Sequence, residues 1–93
     1  MNALYKSAFK KFVKKQSRGL QLAIEDETEV IISNPYIGEA KKGDLSGFRV
    51  HKFVFQKQEY LIAYKIMKDC IIFYLIGTHE NFYRELKRYI KEV

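Results

Sequence analysis

Only one cysteine, Cys70, occurs in the sequence, so no intramolecular disulfide can form. It stands in an apolar run and reads as a buried, reduced thiol of a cytosolic protein. No apolar stretch is long enough to span a membrane, and the start of the chain lacks the apolar core of a signal peptide. A soluble, cytoplasmic protein is expected. Low-complexity tracts are missing, and a hydrophobic content of 47% suits a globular fold rather than disorder. The two histidines lie far apart, and most carboxylates are placed as solvated charges, so no metal site is expected and no cofactor is implied. The first nineteen residues contain no acid at all, yet they carry Lys6, Lys10, Lys11, Lys14, Lys15 and Arg18.

What is present bounds the rest. Ninety-three residues make one small domain, 1–93, with a single core and little stability to spare. A net charge of +6 and a pI near 9.4 point to an anionic partner, nucleic acid first. Seven Tyr and seven Phe are many for this length, and some of them are expected to line a surface.

Hydrophobic periodicity divides the chain into a helical front and a β-rich back. Tyr5, Ala8, Phe9, Phe12 and Val13 recur at three- and four-residue steps among lysines, which predicts an amphipathic helix ending near Gly19. Leu20 to Ser33 predicts a second, with a stripe of Leu20, Ala23, Ile24, Val30 and Ile31, stopped by Asn34-Pro35. The joint Gln16–Gly19 folds the two into an antiparallel hairpin. A glycine-punctuated loop, Tyr36 to Gly47, carries Lys41, Lys42 and Asp44 but matches no phosphate-loop spacing.

Three strands follow: Phe48–Phe55, Glu59–Met67 and Cys70–Ile76. Their short connections predict an antiparallel meander. The last is apolar on both faces, so it is central and covered on both sides. In the first of these strands Arg49, His51, Phe53 and Phe55 share one side, while Phe48, Val50, Lys52 and Val54 share the other. From Thr78, a plausible N-cap, a final helix places Phe82, Leu86, Tyr89 or Ile90, and Val93 on one stripe, with Arg84, Lys87, Arg88 and Lys91 outside. The fold class is α+β: an N-terminal helical hairpin on a three- to four-stranded antiparallel sheet, with a C-terminal helix closing an edge.

Four stretches together carry a family resemblance. They are Lys6-Ser-Ala-Phe-Lys-Lys-Phe-Val-Lys-Lys15, Gly43-Asp-Leu-Ser-Gly-Phe-Arg-Val-His51, Glu59-Tyr-Leu-Ile-Ala-Tyr64 and Phe73-Tyr-Leu-Ile-Gly-Thr-His-Glu-Asn-Phe-Tyr83. Over nearly its whole length the chain resembles the RelE/ParE superfamily of bacterial toxin–antitoxin toxins. Such toxins usually open with a β-strand, and only Asn2 to Tyr5 is available for it here. The resemblance implies a cognate antitoxin and one of two activities. RelE-like members cleave mRNA on the ribosome without a metal, whereas ParE-like members inhibit DNA gyrase. An inactive relic that still binds its antitoxin is the third possibility.

Metal-free RNA cleavage needs a base for the 2′-hydroxyl, cations for the phosphorane charge, and an acid for the leaving 5′-oxygen. Histidine suits either proton transfer near neutral pH, its ordinary pKa being about 6.5. By the resemblance, His79 falls where the YafQ- and YoeB-like branch places its C-terminal catalytic histidine, and Tyr83 where that branch carries a functional aromatic. Glu59 takes the place of an acidic residue at the start of its strand. Arg49 and His51 match two alternating basic positions. The reading that follows makes His79 the acid and His51 or Glu59 the base. Arg49 and Lys52, or Lys41 and Lys42, then stabilise the phosphorane, and Tyr83 orients substrate.

Two departures qualify the match. Leu61 stands where many RelE-like toxins carry an arginine, which the YafQ-like branch also lacks, and the loop lacks that branch's second histidine. Each site residue also has a structural alternative. His79 caps a helix, His51 is an exposed strand residue, and Arg49 pairs with an acid or the antitoxin. Tyr83 packs the helix, and Arg84, Lys87 and Arg88 are solvated cations that otherwise contact rRNA phosphates. Tyr60 and Tyr64 read as core.

Overall fold

The apolar strand decides the architecture, because a strand without a polar face has to be covered twice. In the computed structural model, which describes residues 1–91, it is β5 (Cys70–Thr78). It lies between β1 (Asn2–Tyr5) and β4 (Gln58–Ile66), and the sheet continues through β3 (Arg49–Phe55) to β2 (Glu39–Ala40). The order is β1-β5-β4-β3-β2, with β1 parallel to β5 and every other pair antiparallel. The sheet is thus five-stranded and mixed, not a three- to four-stranded antiparallel meander. Asn2–Tyr5 does form the opening strand, so the hairpin follows a strand rather than beginning the chain. Tyr5, expected in the first helix, belongs to β1, where its ring stacks on Phe73 at 5.0 Å between centroids.

Helix α1 is shorter than its periodicity suggested, Ser7–Lys14, and α2 runs Arg18–Ser33. Ser17 caps α2, its Oγ accepting from the Leu20 N–H at 3.2 Å, which satisfies one of the donors a helix start leaves open. Phe9, Leu20, Ile24 and Ile31 bury against Phe53, Ile62, Tyr64, Ile71, Phe73 and Ile76, forming the core on one face. Tyr60 packs against this core, and Tyr64 lies inside it. Thr28 takes a buried place on α2, whereas Val30, expected there, is 40% exposed.

The second face is covered by α3 (His79–Lys91), whose Phe82 and Leu86 bury over Leu45, Phe48, Val50, Leu61, Ala63 and Leu75. Burial of each such side chain contributes about 1.5–3 kcal/mol relative to exposure. Helix α3 therefore lies across a face and does not close an edge. Val93, assigned to its stripe, lies outside the described residues. Cys70 is free and only half-buried, at the first position of β5 instead of inside the core.

The sharp β3–β4 turn places Gln56 and Lys57 at φ of 49° and 68°, the left-handed pair of a type I′ hairpin turn.

Candidate functional site

Period-2 alternation sends the polar residues of β3 to opposite faces, and this separates the sequence-derived candidates. Arg49 and His51 share a face, as their spacing predicts, but it is the face that α2 covers. His51 Nε2 meets Glu27 Oε1 of α2 at 2.7 Å, with only 12% of the histidine side chain exposed. Arg49 Nη1 donates to the carbonyls of Gly38 at 2.7 Å and Tyr36 at 3.3 Å. Its guanidinium also lies 4.9 Å from the Tyr36 ring centroid. Both basic groups are engaged in holding the fold together.

The remaining candidates gather on the α3 face. Registers Lys52↔Leu61↔Gly77 and Val54↔Glu59 put Lys52 and Glu59 diagonally adjacent there. Tyr60 pairs with Thr78, so Glu59 stands beside the strand end at which His79 leaves the sheet to begin α3. One turn into α3, Tyr83 meets the His79 ring edge-on, with centroids 6.1 Å apart. From the other side Lys41 Nζ lies 4.9 Å from the Tyr83 centroid. Lys42 is exposed beside Lys41. His79, Tyr83 and Lys41 thus stand together on the face that Lys52 and Glu59 share, and Arg49 and His51 lie on the opposite face of the sheet. The structure does not bring Arg49 and His51 together with His79.

Beyond Tyr83 an open groove of about 500 Å³ is lined by Tyr83, Arg84, Lys87, Arg88 and Lys91. The three candidate cations of α3 are therefore gathered beside the cluster, where phosphates can be held. Among the described residues, no three His, Cys, Asp or Glu side chains converge in a way that could hold a metal ion.

Sequence reasoning missed Glu39. It lies on β2 opposite Val50, hence on the α3 face, and its carboxylate is hydrogen-bonded to Lys41. That hydrogen bond, reinforced by the Lys41 charge and by Lys52, holds the Glu39 carboxyl below its ordinary value. Lys41 is raised above its own, first by Glu39 and then by Tyr83, against partial desolvation. A two-residue strand inside a glycine-rich loop has no periodicity to announce it; only the i, i+2 spacing of Glu39 and Lys41 signalled a shared face.

The lowered carboxyl contributes stability that is complete above 4.5 and lost as pH falls, and the raised ammonium contributes stability complete below 10.5 and lost as pH rises. Lys41→Met is therefore expected to be less stable than wild type between those limits, with the gap closing at either end. Chemical denaturation across pH checks this, and a gap that persists at acid pH would assign it to packing alone.

The loop that delivers these two residues is pinned from below. The Gly38 N–H donates to Tyr64 Oη at 2.9 Å, and the Tyr64 hydroxyl donates to the Pro35 carbonyl at 2.6 Å. Burial holds the Tyr64 phenol above its ordinary pKa, so it keeps the proton it donates. Arg49 grips the Gly38 carbonyl of the same segment.

Comparison with known proteins agrees with this architecture. The family model of the ParE-like toxin of type II bacterial toxin–antitoxin systems matches residues 4–87. Among solved structures, the fold is similar to the intact E. coli RelBE toxin–antitoxin complex, with a TM-score of 0.67 and 12% identity. That match covers 85% of this chain and 96% of the other. It is also similar to the isolated E. coli RelE toxin, with a TM-score of 0.66 and 12% identity over 99% and 98% of the two chains. At such identity these likenesses establish the fold alone. No curated protein sequence matches.

Proposed function

The chain belongs to the ParE-like toxin family of type II bacterial toxin–antitoxin systems, and from that premise we propose that it is a cytoplasmic, metal-independent, ribosome-dependent mRNA endonuclease. The observation that carries this reading is the convergence of His79, Tyr83 and Lys41, at 6.1 Å and 4.9 Å, on the face shared by Lys52 and Glu59. A proton donor, a carboxylate and two cations are the acid, base and charge-stabilising groups that metal-free RNA cleavage requires, and an aromatic platform stands beside them.

In this mechanism Glu59 takes the 2′-hydroxyl proton as the 2′-oxygen bonds to phosphorus. Lys41 and Lys52 stabilise the phosphorane charge. His79 protonates the 5′-oxygen as the P–O5′ bond breaks, leaving a 2′,3′-cyclic phosphate and a 5′-hydroxyl. Tyr83 orients the flanking base by stacking, worth ~1–3 kcal/mol. Arg84, Lys87 and Arg88 hold phosphates of mRNA or rRNA. His51, engaged with Glu27, and Arg49, engaged with the loop, act on this site from behind. A histidine acid with an apolar Leu61 in the next strand aligns the chain with the YafQ- and YoeB-like branch.

The RelBE structure is a toxin–antitoxin complex, and a cognate antitoxin is the partner we assign here. Tyr5, Phe9 and Val13 together with Lys10, Lys14 and Arg18 line a groove of about 420 Å³ across α1 and α2, suited to an acidic, partly apolar antitoxin segment.

Inhibition of DNA gyrase is the second reading, favoured by the ParE-like description of the matching family. Induction of the wild type in cells, followed by mapping of mRNA 5′ ends within minutes, separates the two. New 5′ ends inside translated codons are expected. Growth arrest with intact mRNA, together with inhibited supercoiling by purified gyrase, selects the second reading. Absence of growth arrest selects an inactive relic.

A further inference from the structure

Lys41 and Glu39 form an unequal pair. The lysine side chain is 19% exposed, seated against the Tyr83 ring, whereas the glutamate is 69% exposed on a two-residue edge strand. The ammonium is thus fixed by two neighbours, while the carboxylate is hydrated and held by the lysine, with Lys52 as a second attracting charge. An exposed ion pair of this kind contributes little net stability, so exchanging its anion costs little. Tyr83 belongs both to the seat of Lys41 and to the groove lined by Arg84, Lys87, Arg88 and Lys91. A polyanion lying in that groove arrives at Lys41, where it finds the place of a phosphate already occupied by a carboxylate. Phosphate and carboxylate compete for the same charge-assisted hydrogen bond.

We propose that Glu39 is an exchangeable counter-ion, which seats Lys41 against Tyr83 in the free protein and is displaced by a phosphodiester of single-stranded RNA. This rests on reading the α3 face as the RNA site, and it adds a residue that sets affinity there without touching the reacting atoms. Glu39 acts through Lys41 and is a positioning residue.

The test uses a fluorescent 2′-O-methyl RNA oligonucleotide, which lacks the attacking hydroxyl and reports binding without cleavage. Glu39→Gln is expected to bind it about three- to tenfold more tightly at low salt, the size of one short-range charge interaction at the dielectric of water. The slope of log Kd against log salt is expected to steepen by up to ~0.7, the value for one additional phosphate contact on a single strand. Glu29→Gln makes the same charge change on an exposed residue of α2, across the sheet, and is expected to shift Kd less than twofold. In a Lys41→Met background the gain from Glu39→Gln disappears, because the competed-for cation is gone.

Tightening no greater than that of Glu29→Gln, or tightening that survives Lys41→Met, overturns the proposal. So does failure of both wild type and Glu39→Gln to bind. Cleavage of unmodified mRNA is measured in parallel. Tightening without cleavage by the wild type keeps the counter-ion and removes the nuclease, and cleavage without tightening does the reverse.

Discussion

His79→Ala is expected to abolish growth arrest and to slow ribosome-dependent mRNA cleavage by about 10²–10⁴-fold, the contribution of a positioned general acid. The 5′-oxygen leaves as an alkoxide unless a proton reaches it in the transition state, and His79 is the histidine on the α3 face. Its ring is exposed at the first position of the helix and touches Tyr83 edge-on. Surface substitutions of this kind usually change stability within about 0.5 kcal/mol, so lost cleavage reads as lost chemistry. Glu59→Gln is expected to lose activity comparably, since a neutral amide cannot accept the 2′-proton.

His51→Ala supplies the contrast. It removes the contact with Glu27 and is expected to cost about 1 kcal/mol, or ~4–8 °C in Tm for a domain of this size, while cleavage continues. The measurement is 5′-end mapping in cells and on purified ribosomes, beside thermal melts. Cleavage by His79→Ala at the wild-type rate would return that histidine to a plain helix entrance.

The contrast between the two histidines also shows what a linear reading could and could not reach. Strong patterns were legible: the run Cys70–Ile76 was apolar on both faces, and β5 is indeed internal and covered twice. Tyr60 and Tyr64 were legible as inward-facing because they share one strand face; Tyr64 lies inside the core, and Tyr60 is half-buried against it. Strand β1 left only a faint signal, because four residues with Leu4 and Tyr5 exposed make no alternation; its place comes from backbone pairing to β5.

The choice of which face α2 would cover was not legible at all. In β3, Arg49, His51, Phe53 and Phe55 alternate with Phe48, Val50, Lys52 and Val54, so both faces mix apolar and basic residues. Spacing told that Arg49 and His51 lie together; only tertiary contact told that Glu27 and the Gly38 carbonyl already hold them. Residues that look equally suited to phosphate divide into support and surface once the helices are in place. The candidate base narrows by the same division, since Glu59 shares the α3 face with Lys52 while His51 does not.

Support and surface meet in the segment Pro35–Lys42, and Gly38→Ala is expected to damage both. A β-carbon at Gly38 would stand 2.5 Å from Tyr64 Oη, 2.9 Å from its Cε1 and 3.0 Å from its Cζ. Backbone strain is not the reason for glycine here, since φ is −74° and ψ 151°, which alanine adopts freely. Close approach is the reason. The Tyr64 ring cannot withdraw: it is fully buried, packs against Phe73 with centroids 6.1 Å apart, and is tied through its hydroxyl to Pro35 and Gly38.

Overpacking costs about 1–3 kcal/mol, and displaced buried hydrogen bonds add about 1 kcal/mol or more. A loss of about 2–4 kcal/mol is therefore expected, or a fall of roughly 10–25 °C in Tm. Tyr64→Phe alone leaves the Gly38 N–H without its buried acceptor and costs about 1–3 kcal/mol. With that hydroxyl gone the shortest clash is gone too, so the double variant is expected to lose at least about 1 kcal/mol less than the sum of the singles.

The same substitution loosens the segment that carries Glu39, on β2, and Lys41 just beyond it. Gly38→Ala should thus bind the 2′-O-methyl oligonucleotide more weakly even at temperatures where it remains folded. A variant that melts within about 2 °C of wild type would show instead that the loop swings free of Tyr64, and that Lys41 reaches Tyr83 without the latch beneath it.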